Sequence, residues 1–316
     1  TATSSCGMAL MWEELYVAAS NRLPLALALV NRALSGPINI NCDHSDSMGA
    51  RDTGWIQIYA ENNQEVYDNF VQAYRIAEHK DVRLPIMVCQ DGFITSHAVE
   101  NIELIETDQV KKFVGEYEPE QYLLNPKMPM AMGPYATSPF YMETKMAQNE
   151  AMKNAKKVIL DVADEFARMT GRQYGFFEEY RLEDADYAIV MIGSAAGTTK
   201  DAIDELRNQG KKVGLLKLRV FRPFPGDEIA KALSHTKAVA ILDRSEGFRA
   251  GGGPLSAEIK EHFYDAGLTT KAVSYIYGLG GRDYTVDEAK QVYAELEDMI
   301  ENGTKLPQYR YIGLRK

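Results

Sequence analysis

"LALALVNRALSGPIN", residues 25–39, contains the pattern that decides the fold. Six apolar residues run without a break from Leu25 to Val30, and Asn31 and Arg32 follow directly. An uninterrupted apolar run of this kind is typical of a strand that is buried on both faces of a parallel sheet. We therefore expect an α/β fold in which Arg32 stands at the carboxyl end of a central strand.

Apolar runs alternate with amphipathic segments along the rest of the chain. Strands are predicted at residues 23–31, 54–60, 84–93, 186–194, 212–221, 237–243 and 271–277. Helices are predicted at residues 5–20, 63–79, 141–168, 197–209, 226–234, 254–266 and 286–300. Strands that alternate with helices pair in parallel through right-handed crossovers. The sequence therefore predicts two α/β domains, residues 1–174 and 175–316.

Composition and charge exclude several classes of partner. The chain has 316 residues and a net charge of -10, which argues against nucleic acid, because such binding rests on excess Lys and Arg. No apolar stretch reaches the roughly 18 residues of a membrane span, so no membrane contact is expected. The cysteines Cys6, Cys42 and Cys89 are scattered, so neither a disulfide framework nor an iron–sulfur ligand set is predicted. Reduced thiols and a cytoplasmic location are the expectation.

Arg32 is the first candidate for a functional side chain. Ligands of open α/β sheets bind at the carboxyl ends of the strands. A guanidinium there offers parallel donors to a carboxylate or phosphate and stays charged. From the residues alone, an ion pair with Asp43, Asp46 or Asp52 of the following loop is an equally good explanation. Both interpretations stay open on spacing alone.

The densest polar cluster of the chain follows in the same loop, "NCDHSDSMGARDTGW", residues 41–55. It contains Asp43, His44 and Asp46, but neighbouring loop residues do not by themselves make a catalytic triad or a metal site. Turns and ion pairs within the loop are the alternative to an active-site loop. His97, after a predicted strand, is a weaker candidate for a site residue.

Two further segments have the position of a phosphate-binding turn. "GSAAGTTKDAID" (193–204) follows a predicted strand and opens a helix, and "RSEGFRAGGGPLSAEI" (244–259) is rich in glycine and carries Arg244 and Arg249. Amide groups at a helix N-terminus can receive an anion. Neither segment matches a dinucleotide or Walker motif. They leave open a different class of protein, a non-catalytic α/β scaffold that binds a nucleotide.

Four long stretches together resemble one known family. Residues 1–40, 43–69 and 84–97 resemble the alpha subunit of 2-oxoacid:ferredoxin oxidoreductases, and within that family the pyruvate enzymes (pyruvate synthase). Residues 193–225 resemble the second domain of the same subunit. The resemblance implies that the first predicted domain is a doubly wound, pyrimidine-type domain of the thiamine diphosphate-binding kind. It implies that the second is like the transketolase C-terminal domain.

The resemblance also implies a chemistry and a set of partners. In this family thiamine diphosphate decarboxylates a 2-oxo acid, electrons pass to 4Fe–4S clusters and on to ferredoxin, and coenzyme A receives the acyl group. A beta subunit holds most of the cofactor with its Mg²⁺, and gamma and ferredoxin-like delta subunits carry the clusters. We expect this chain to act only with such partners, on pyruvate or in the reverse direction. A branched-chain 2-oxo acid or oxalate is the alternative substrate.

The resemblance assigns roles to individual residues as well. It identifies Arg32 as the anchor of the substrate carboxylate, and thus as a catalytic and substrate-binding residue. Asn39 and His44 are expected to line the same pocket, and no residue is assigned to a metal. The family uses a glutamate at the cofactor and a threonine at the substrate, and both precede the point where this chain begins. We therefore expect an N-terminal part of the subunit to be missing from this sequence.

Overall fold

The computed structural model describes residues 1–119, 121–133 and 135–315. The strands are β1 (Ala2–Thr3), β2 (Ala26–Asn31), β3 (Ile56–Tyr59), β4 (Ile86–Asp91), β5 (Phe177–Tyr180), β6 (Tyr187–Ile192), β7 (Val213–Leu218), β8 (Val220–Arg222), β9 (Ala238–Asp243), β10 (Lys271–Ile276) and β11 (Tyr309–Tyr311). The helices are α1 (Ser5–Leu10), α2 (Trp12–Ser20), α3 (Ser45–Gly49), α4 (Asn63–Glu78), α5 (Thr107–Val114), α6 (Ser138–Thr170), α7 (Ala195–Asn208), α8 (Gly226–Leu233), α9 (Pro254–Asp265) and α10 (Val286–Glu301). No helix in these described ranges is both long and apolar enough to cross a membrane. The predicted strands and helices are present within a few residues of their expected bounds, except that the helix predicted at 5–20 is divided into α1 and α2 and the strand predicted at 212–221 into β7 and β8.

The first sheet has the strand order β1-β2-β4-β3-β8. Its first four strands pair in parallel, and the register places Asn31 at the end of β2 beside Asp91 at the end of β4. Helices α1, α2 and α3 cover one face, and α4 and α6 cover the other. The apolar runs therefore form the middle of a three-layer sandwich, and the carboxyl ends of β2 and β4 share one edge.

One face of β2 is less covered than its apolar run predicts. Leu27 and Leu29 are buried, whereas Ala28 and Val30 on the opposite face are only half-buried. Helices α4 and α6 pack over β3 and β4, and β2 lies at the margin of that layer beside β1, which has only two residues. The expectation that this strand is buried on both faces is therefore wrong.

The second sheet has the order β11-β10-β9-β6-β7-β5. Helices α7 and α10 pack on one face, and α8 and α9 on the other. The strands pair in parallel except β5, which runs antiparallel to β7 at one edge. The edge strands β5 and β11 are not predicted from the sequence because both are short and only partly buried.

The two sheets share one stretch of chain. The predicted strand at 212–221 consists of two strands: β7 lies in the second sheet, and β8 crosses to the first, where it pairs antiparallel with β3. Between them Arg219 is buried, and its guanidinium donates to the side chains of Asn69 (2.9 Å) and Gln72 (3.2 Å). The prediction of parallel pairing is therefore wrong at β8, the last part of the predicted strand 212–221. The division of the chain at residue 174 stays a prediction.

A cluster of charges around the buried Lys217 also joins the two sheets. The Nζ atom of Lys217 in β7 lies 2.5 Å from Glu65, 2.7 Å from Glu61 and 2.7 Å from Glu178. Burial alone would lower the pKa of Lys217, but the carboxylates of Glu65 and Glu61 outweigh it and raise this pKa above its usual range. The three carboxylates have the proximity of a metal site, yet the ammonium group already lies among them.

Candidate active site

The candidate site lies at the carboxyl edge of the first sheet. Arg32 directly follows β2, and Asp91 is the last residue of the neighbouring strand β4. The loop between β2 and α3 carries the predicted residues Asn39 and His44. Because ligands of open α/β sheets bind at this edge, the position of Arg32 is the one that its place in the sequence predicts.

The guanidinium of Arg32 has no acidic partner among the residues that the structure describes. Its Nε atom is buried without a hydrogen-bond partner, while the residue as a whole is half-buried. Two of the three aspartates that could neutralise it are engaged elsewhere. Asp43 accepts the hydroxyl of Ser45 at 2.5 Å, and Asp52 lies 3.5 Å from Arg222. An unneutralised cation at this edge favours an anionic ligand over a structural ion pair.

Asp46, the third of these aspartates, holds the backbone of Arg32 and not its side chain. Its Oδ2 atom accepts the amide N–H groups of Arg32 and of Ser5, each at 3.0 Å. Its Oδ1 atom accepts the side-chain amide of Asn31 and the N–H of Ser47, each at 2.8 Å. Burial raises the pKa of Asp46, although these donors act in the opposite direction.

The side chain of Arg32 passes close to Gly92 at the end of β4. A Cβ atom at Gly92 would lie 2.9 Å from Cγ of Arg32 and 2.5 Å from the backbone oxygen of Asn31. Such distances are shorter than van der Waals contact, so any larger residue would displace the arginine. Glycine is therefore required here for close approach.

Asp91 connects the loop after β2 with the second sheet. One carboxylate oxygen lies 2.7 Å from Nε2 of His44. The other accepts the hydroxyl of Ser194 at 2.6 Å and the guanidinium of Arg244 at 3.1 Å. Burial alone would raise the pKa of Asp91, but His44 and Arg244 outweigh it and hold this pKa well below its usual range. His44 is only 2% exposed and is bound to this group, so its assignment to the substrate stays a prediction.

Asn39 lines a cleft of about 790 Å³ between its own loop, α3 and α9. Its Nδ2 atom donates to the carbonyl of Gly280 at 3.2 Å, and its Oδ1 atom accepts the N–H of Asn41 at 2.7 Å. Among the described residues that line the cleft, Arg32 is absent. The structure therefore does not bring Asn39 and Arg32 into one cavity, and the role of Asn39 stays a prediction.

Both predicted phosphate-binding turns are occupied by carboxylates of the chain itself. At the start of α7, Asp91 accepts the N–H of Ser194 at 2.9 Å in addition to its hydroxyl. At the start of α9, Asp243 accepts the N–H groups of Leu255 (2.8 Å) and Ser256 (3.1 Å). An anionic ligand at either helix would have to displace a buried carboxylate. The geometry thus opposes the alternative of a nucleotide-binding scaffold.

Cys42, His44 and Asp91 have the proximity of a metal site, since their ligand atoms lie within 4.8 Å of one another. The guanidinium of Arg244 already binds Asp91. Burial raises the pKa of the Cys42 thiol, which disfavours the thiolate form that binds metals. These side chains therefore form a buried hydrogen-bonded and charged network that joins the two sheets.

The fold and the site define a class of protein, an α/β subunit with a free arginine at the carboxyl edge of a parallel sheet. A family model described as pyruvate flavodoxin/ferredoxin oxidoreductase, thiamine diphosphate-binding, matches residues 1–164. A second model, described as pyruvate:ferredoxin oxidoreductase core domain II, matches residues 185–289. The chain belongs to the pyruvate flavodoxin/ferredoxin oxidoreductase family and corresponds to the alpha-type subunit, which confirms the family that the sequence predicts.

Individual relatives agree with this family. Pyruvate synthase subunit PorA of Thermotoga maritima is 48% identical over 316 residues, which are 100% of this chain and 80% of that protein. Ketoisovalerate oxidoreductase subunit VorA of Pyrococcus horikoshii is 41% identical over 317 residues, again 100% of this chain and 80% of that protein. A solved 2-oxoglutarate:ferredoxin oxidoreductase from Magnetococcus marinus, with 2-oxoglutarate, coenzyme A and succinyl-CoA bound, has a TM-score of 0.65 at 18% identity. That comparison covers 94% of this chain and 52% of the other, and it supports the predicted fold class.

The described residues fit only part of what a thiamine diphosphate enzyme needs. The unpaired guanidinium of Arg32 suits an anionic ligand. The helix N-termini that could have held a diphosphate are closed by Asp91 and Asp243. Arg32 therefore suits a carboxylate, whereas the starts of α7 and α9 do not fit the diphosphate of the cofactor.

Sequence reasoning missed the residues that connect the site to the rest of the molecule. Asp91 ends a predicted strand, so the rule that points to Arg32 would also have pointed to this residue. Gly92 follows a strand directly, and a glycine there signals close approach of another group. The contacts of Ser194 and Arg244 depend on how the two sheets meet, and no local pattern in the sequence reports that.

Proposed function

We propose that this chain is the alpha subunit of an enzyme that oxidatively decarboxylates pyruvate to acetyl-CoA, or catalyses the reverse reaction, with electrons passed to ferredoxin. The observation that carries the proposal is the guanidinium of Arg32, which lies without an acidic partner among the described residues at the ligand-binding edge of the sheet. The family model and the pyruvate synthase relative support pyruvate as the substrate.

In this proposal Arg32 binds the carboxylate of the 2-oxo acid through two parallel N–H donors. The pairing fixes the carboxylate and thereby orients the adjacent carbonyl carbon. Thiamine diphosphate, when bound, supplies the electron sink for decarboxylation. Because a guanidinium does not lose its proton at working pH, Arg32 holds the substrate by charge and takes no part in proton transfer. Its hold ends when the carboxylate leaves as neutral carbon dioxide.

The remaining cofactors belong to partner subunits in this proposal. A beta subunit holds most of thiamine diphosphate and its Mg²⁺, which agrees with the closed helix N-termini of this chain. Gamma and ferredoxin-like delta subunits carry the 4Fe–4S clusters, external ferredoxin accepts the electrons, and coenzyme A is the co-substrate. The free thiols of Cys6, Cys42 and Cys89, one exposed and two buried, are consistent with a reducing compartment such as the cytoplasm.

The start of α6 offers a surface on which partner subunits could assemble. Phe140, Tyr141, Met142 and Met146 follow one another along this helix and are between 57% and 79% exposed. Exposed apolar patches are a feature of protein–protein contact surfaces. It supports the proposal that the chain works within a multi-subunit enzyme.

A branched-chain 2-oxo acid or oxalate remains the alternative substrate. The ketoisovalerate relative is 41% identical and the pyruvate relative 48%, so overall likeness separates the two substrates only modestly. We expect kcat/KM to be about tenfold or more higher for pyruvate than for 2-oxoisovalerate, because a site that fits the methyl group of pyruvate discriminates by about this much against a larger side chain. Rates measured on pyruvate, 2-oxoisovalerate and oxalate test this. A higher kcat/KM for either of the other two acids would reassign the substrate.

The variant Arg32→Ala tests the role of the arginine. Loss of a charge-assisted hydrogen-bond pair costs roughly 1.5–3 kcal/mol, so we expect KM for pyruvate to rise about tenfold or more while the chain still folds. The measurement is pyruvate-dependent dye reduction by the assembled complex. Arg310→Ala is the matched control, since Arg310 of β11 pairs with Glu295 of α10 away from this edge, and the variant is expected to leave KM unchanged. An unchanged KM in Arg32→Ala would contradict the proposal.

A further inference from the structure

Asp46 is buried directly beneath the arginine that the proposed function assigns to the substrate. The residue is 1% exposed, and its two oxygens accept four N–H donors. Two of these donors, the amide of Arg32 and the side chain of Asn31, come from the end of β2. The carboxylate of Asp46 thus binds the end of β2 and the backbone of Arg32.

The other two donors of Asp46 come from different elements. The N–H of Ser5 belongs to the first residue of α1, which has a φ of +43°, and the N–H of Ser47 belongs to α3. A positive φ is costly for serine, and the hydrogen bond from its N–H to Asp46 helps to hold Ser5 in this conformation. One carboxylate therefore fixes the end of β2 relative to the two helices that flank it.

The side chain of Arg32 is guided without being neutralised. Its Cγ atom passes over Gly92, where a Cβ would come within 2.9 Å, and its Nε atom is buried with no hydrogen-bond partner among the described residues. Asp46 itself is directed at the backbone amide of Arg32 and not at the guanidinium. Asp46 thus fixes the position of Arg32 while leaving the charge of its guanidinium available.

We propose that Asp46 is a positioning residue for substrate binding, which sets the place of the Arg32 guanidinium by holding its backbone amide. This inference rests on the proposed function of Arg32 as carboxylate anchor. It assigns to Asp46 no contact with substrate or cofactor. Its effect on the reaction passes through Arg32 alone.

The test is the variant Asp46→Asn in the assembled enzyme complex, with pyruvate-dependent dye reduction as the assay. The amide nitrogen of asparagine would face N–H donors at one of the two oxygen positions, so the end of β2 must shift. We expect KM for pyruvate to rise about tenfold with kcat changed far less, because misplacement of a binding group by about 1 Å can cost up to ~10²-fold. Inhibition by oxamate, an isostere of pyruvate, should weaken in parallel.

A double variant separates positioning from a general loss of structure. If Asp46 acts through Arg32, KM of Asp46→Asn combined with Arg32→Ala should equal that of Arg32→Ala alone. Additive increases in KM would overturn the inference. Asp68→Asn is the matched control, since Asp68 is also fully buried and accepts from Gln64, Arg172 and Tyr174 away from this edge. It should lower stability and leave KM unchanged.

The outcomes distinguish the inference from the function beneath it. A KM that rises in Arg32→Ala but not in Asp46→Asn overturns the inference and leaves the proposed function intact. A KM unchanged in Arg32→Ala overturns both. If Asp46→Asn does not assemble, Asn31→Ala removes one donor to Asp46 and takes its place. A KM for Asn31→Ala equal to that of the unaltered enzyme would then overturn the inference. A rise in KM that is smaller than in Arg32→Ala, and that disappears when the two variants are combined, would support it.

Discussion

Asp243 illustrates how a single buried carboxylate can make stability depend on pH. It is the last residue of β9, it is 3% exposed, and it caps the start of α9 through the amides of Leu255 and Ser256. Burial raises the pKa of Asp243 to about 7, against the effect of these two donors. The neighbouring side chains of His44 and Lys260 act to lower this pKa but do not reverse the shift.

The sign of the pH dependence follows from that pKa. In the unfolded chain an aspartate loses its proton near pH 4, whereas in the folded chain Asp243 keeps it until about pH 7. Between these values the folded state binds more protons, so the free energy of unfolding contributed by this group falls as pH rises. We expect a loss of about 1–4 kcal/mol across the window, complete above pH 7.

The variant Asp243→Asn tests this expectation in the full chain. Asparagine at this position cannot titrate. The free energy of unfolding of the variant should therefore fall by roughly 1–4 kcal/mol less than that of the native protein between pH 4.5 and pH 7.5. Urea unfolding at several pH values gives, for each protein, the slope of the free energy of unfolding against pH. Because the cap is altered at every pH, only the difference in slope is informative. Equal slopes in the two proteins would show that Asp243 is ionised throughout the range.

Single residues were predictable from the sequence where chain position alone decides their surroundings. Arg32 follows a buried strand, so its place at the ligand edge could be predicted before any coordinates. The lack of an acidic partner for its guanidinium could not be predicted, because it depends on the contacts that Asp43 and Asp52 make with other residues. The same limit applies to His44, whose bond to Asp91 joins residues 47 positions apart.

Among elements, helix starts were the most predictable feature. Asn62 and Glu65 stand three residues apart at the start of α4, and the Asn62 side chain accepts the N–H of Glu65 at 3.0 Å. Such caps depend on residues three apart, which the sequence shows directly. Strand β8 was not predictable as a separate element, since the apolar residues of 212–221 read as one strand. What divides them is the buried guanidinium of Arg219 and its partners far along the chain.

Helix α10 provides a test of a cap in isolation. Thr285 accepts the N–H of Glu288 at 3.2 Å, and the Glu288 carboxylate accepts the N–H of Thr285 at 2.9 Å, a complete capping box. Thr285→Ala should lower the free energy of unfolding by about 1 kcal/mol, and Thr285→Ser should restore most of it. Chemical denaturation of the three proteins measures this. Equal midpoints for the alanine and threonine forms would mean that α10 is held by packing alone.

At the scale of the whole molecule, the alternation of strands and helices predicted the layers correctly but not how they are joined. Local periodicity reports whether a segment is a strand, and it carries no information about which sheet the strand enters. Strand β8 enters the sheet of the first half, and Lys217 in the strand before it binds Glu61 and Glu65 of that half. The predicted boundary at residue 174 would cut both connections.

A chain that ends at residue 174 tests how far the first half depends on the second. It would lack β8 and leave the edge of β3 unpaired, and it would leave Glu61 and Glu65 without their buried ammonium. Exposed strand edges promote aggregation, so we expect this fragment to aggregate where the full chain does not. Size-exclusion chromatography and circular dichroism make the comparison. A monodisperse fragment with a full complement of helix would contradict this expectation.

The crossing of β8 also limits how such genes can exchange parts. A recombinant that joins the beginning of one family member to the end of another at residue 174 pairs β3 with a β8 strand from the second protein. Gln57 and Ile58 then lie opposite whichever residues that protein has in place of Arg222 and Val220. Successful chimeras should therefore carry their crossover points beyond Arg222. Chimeric enzymes of this family are therefore best designed with the crossover point after β8.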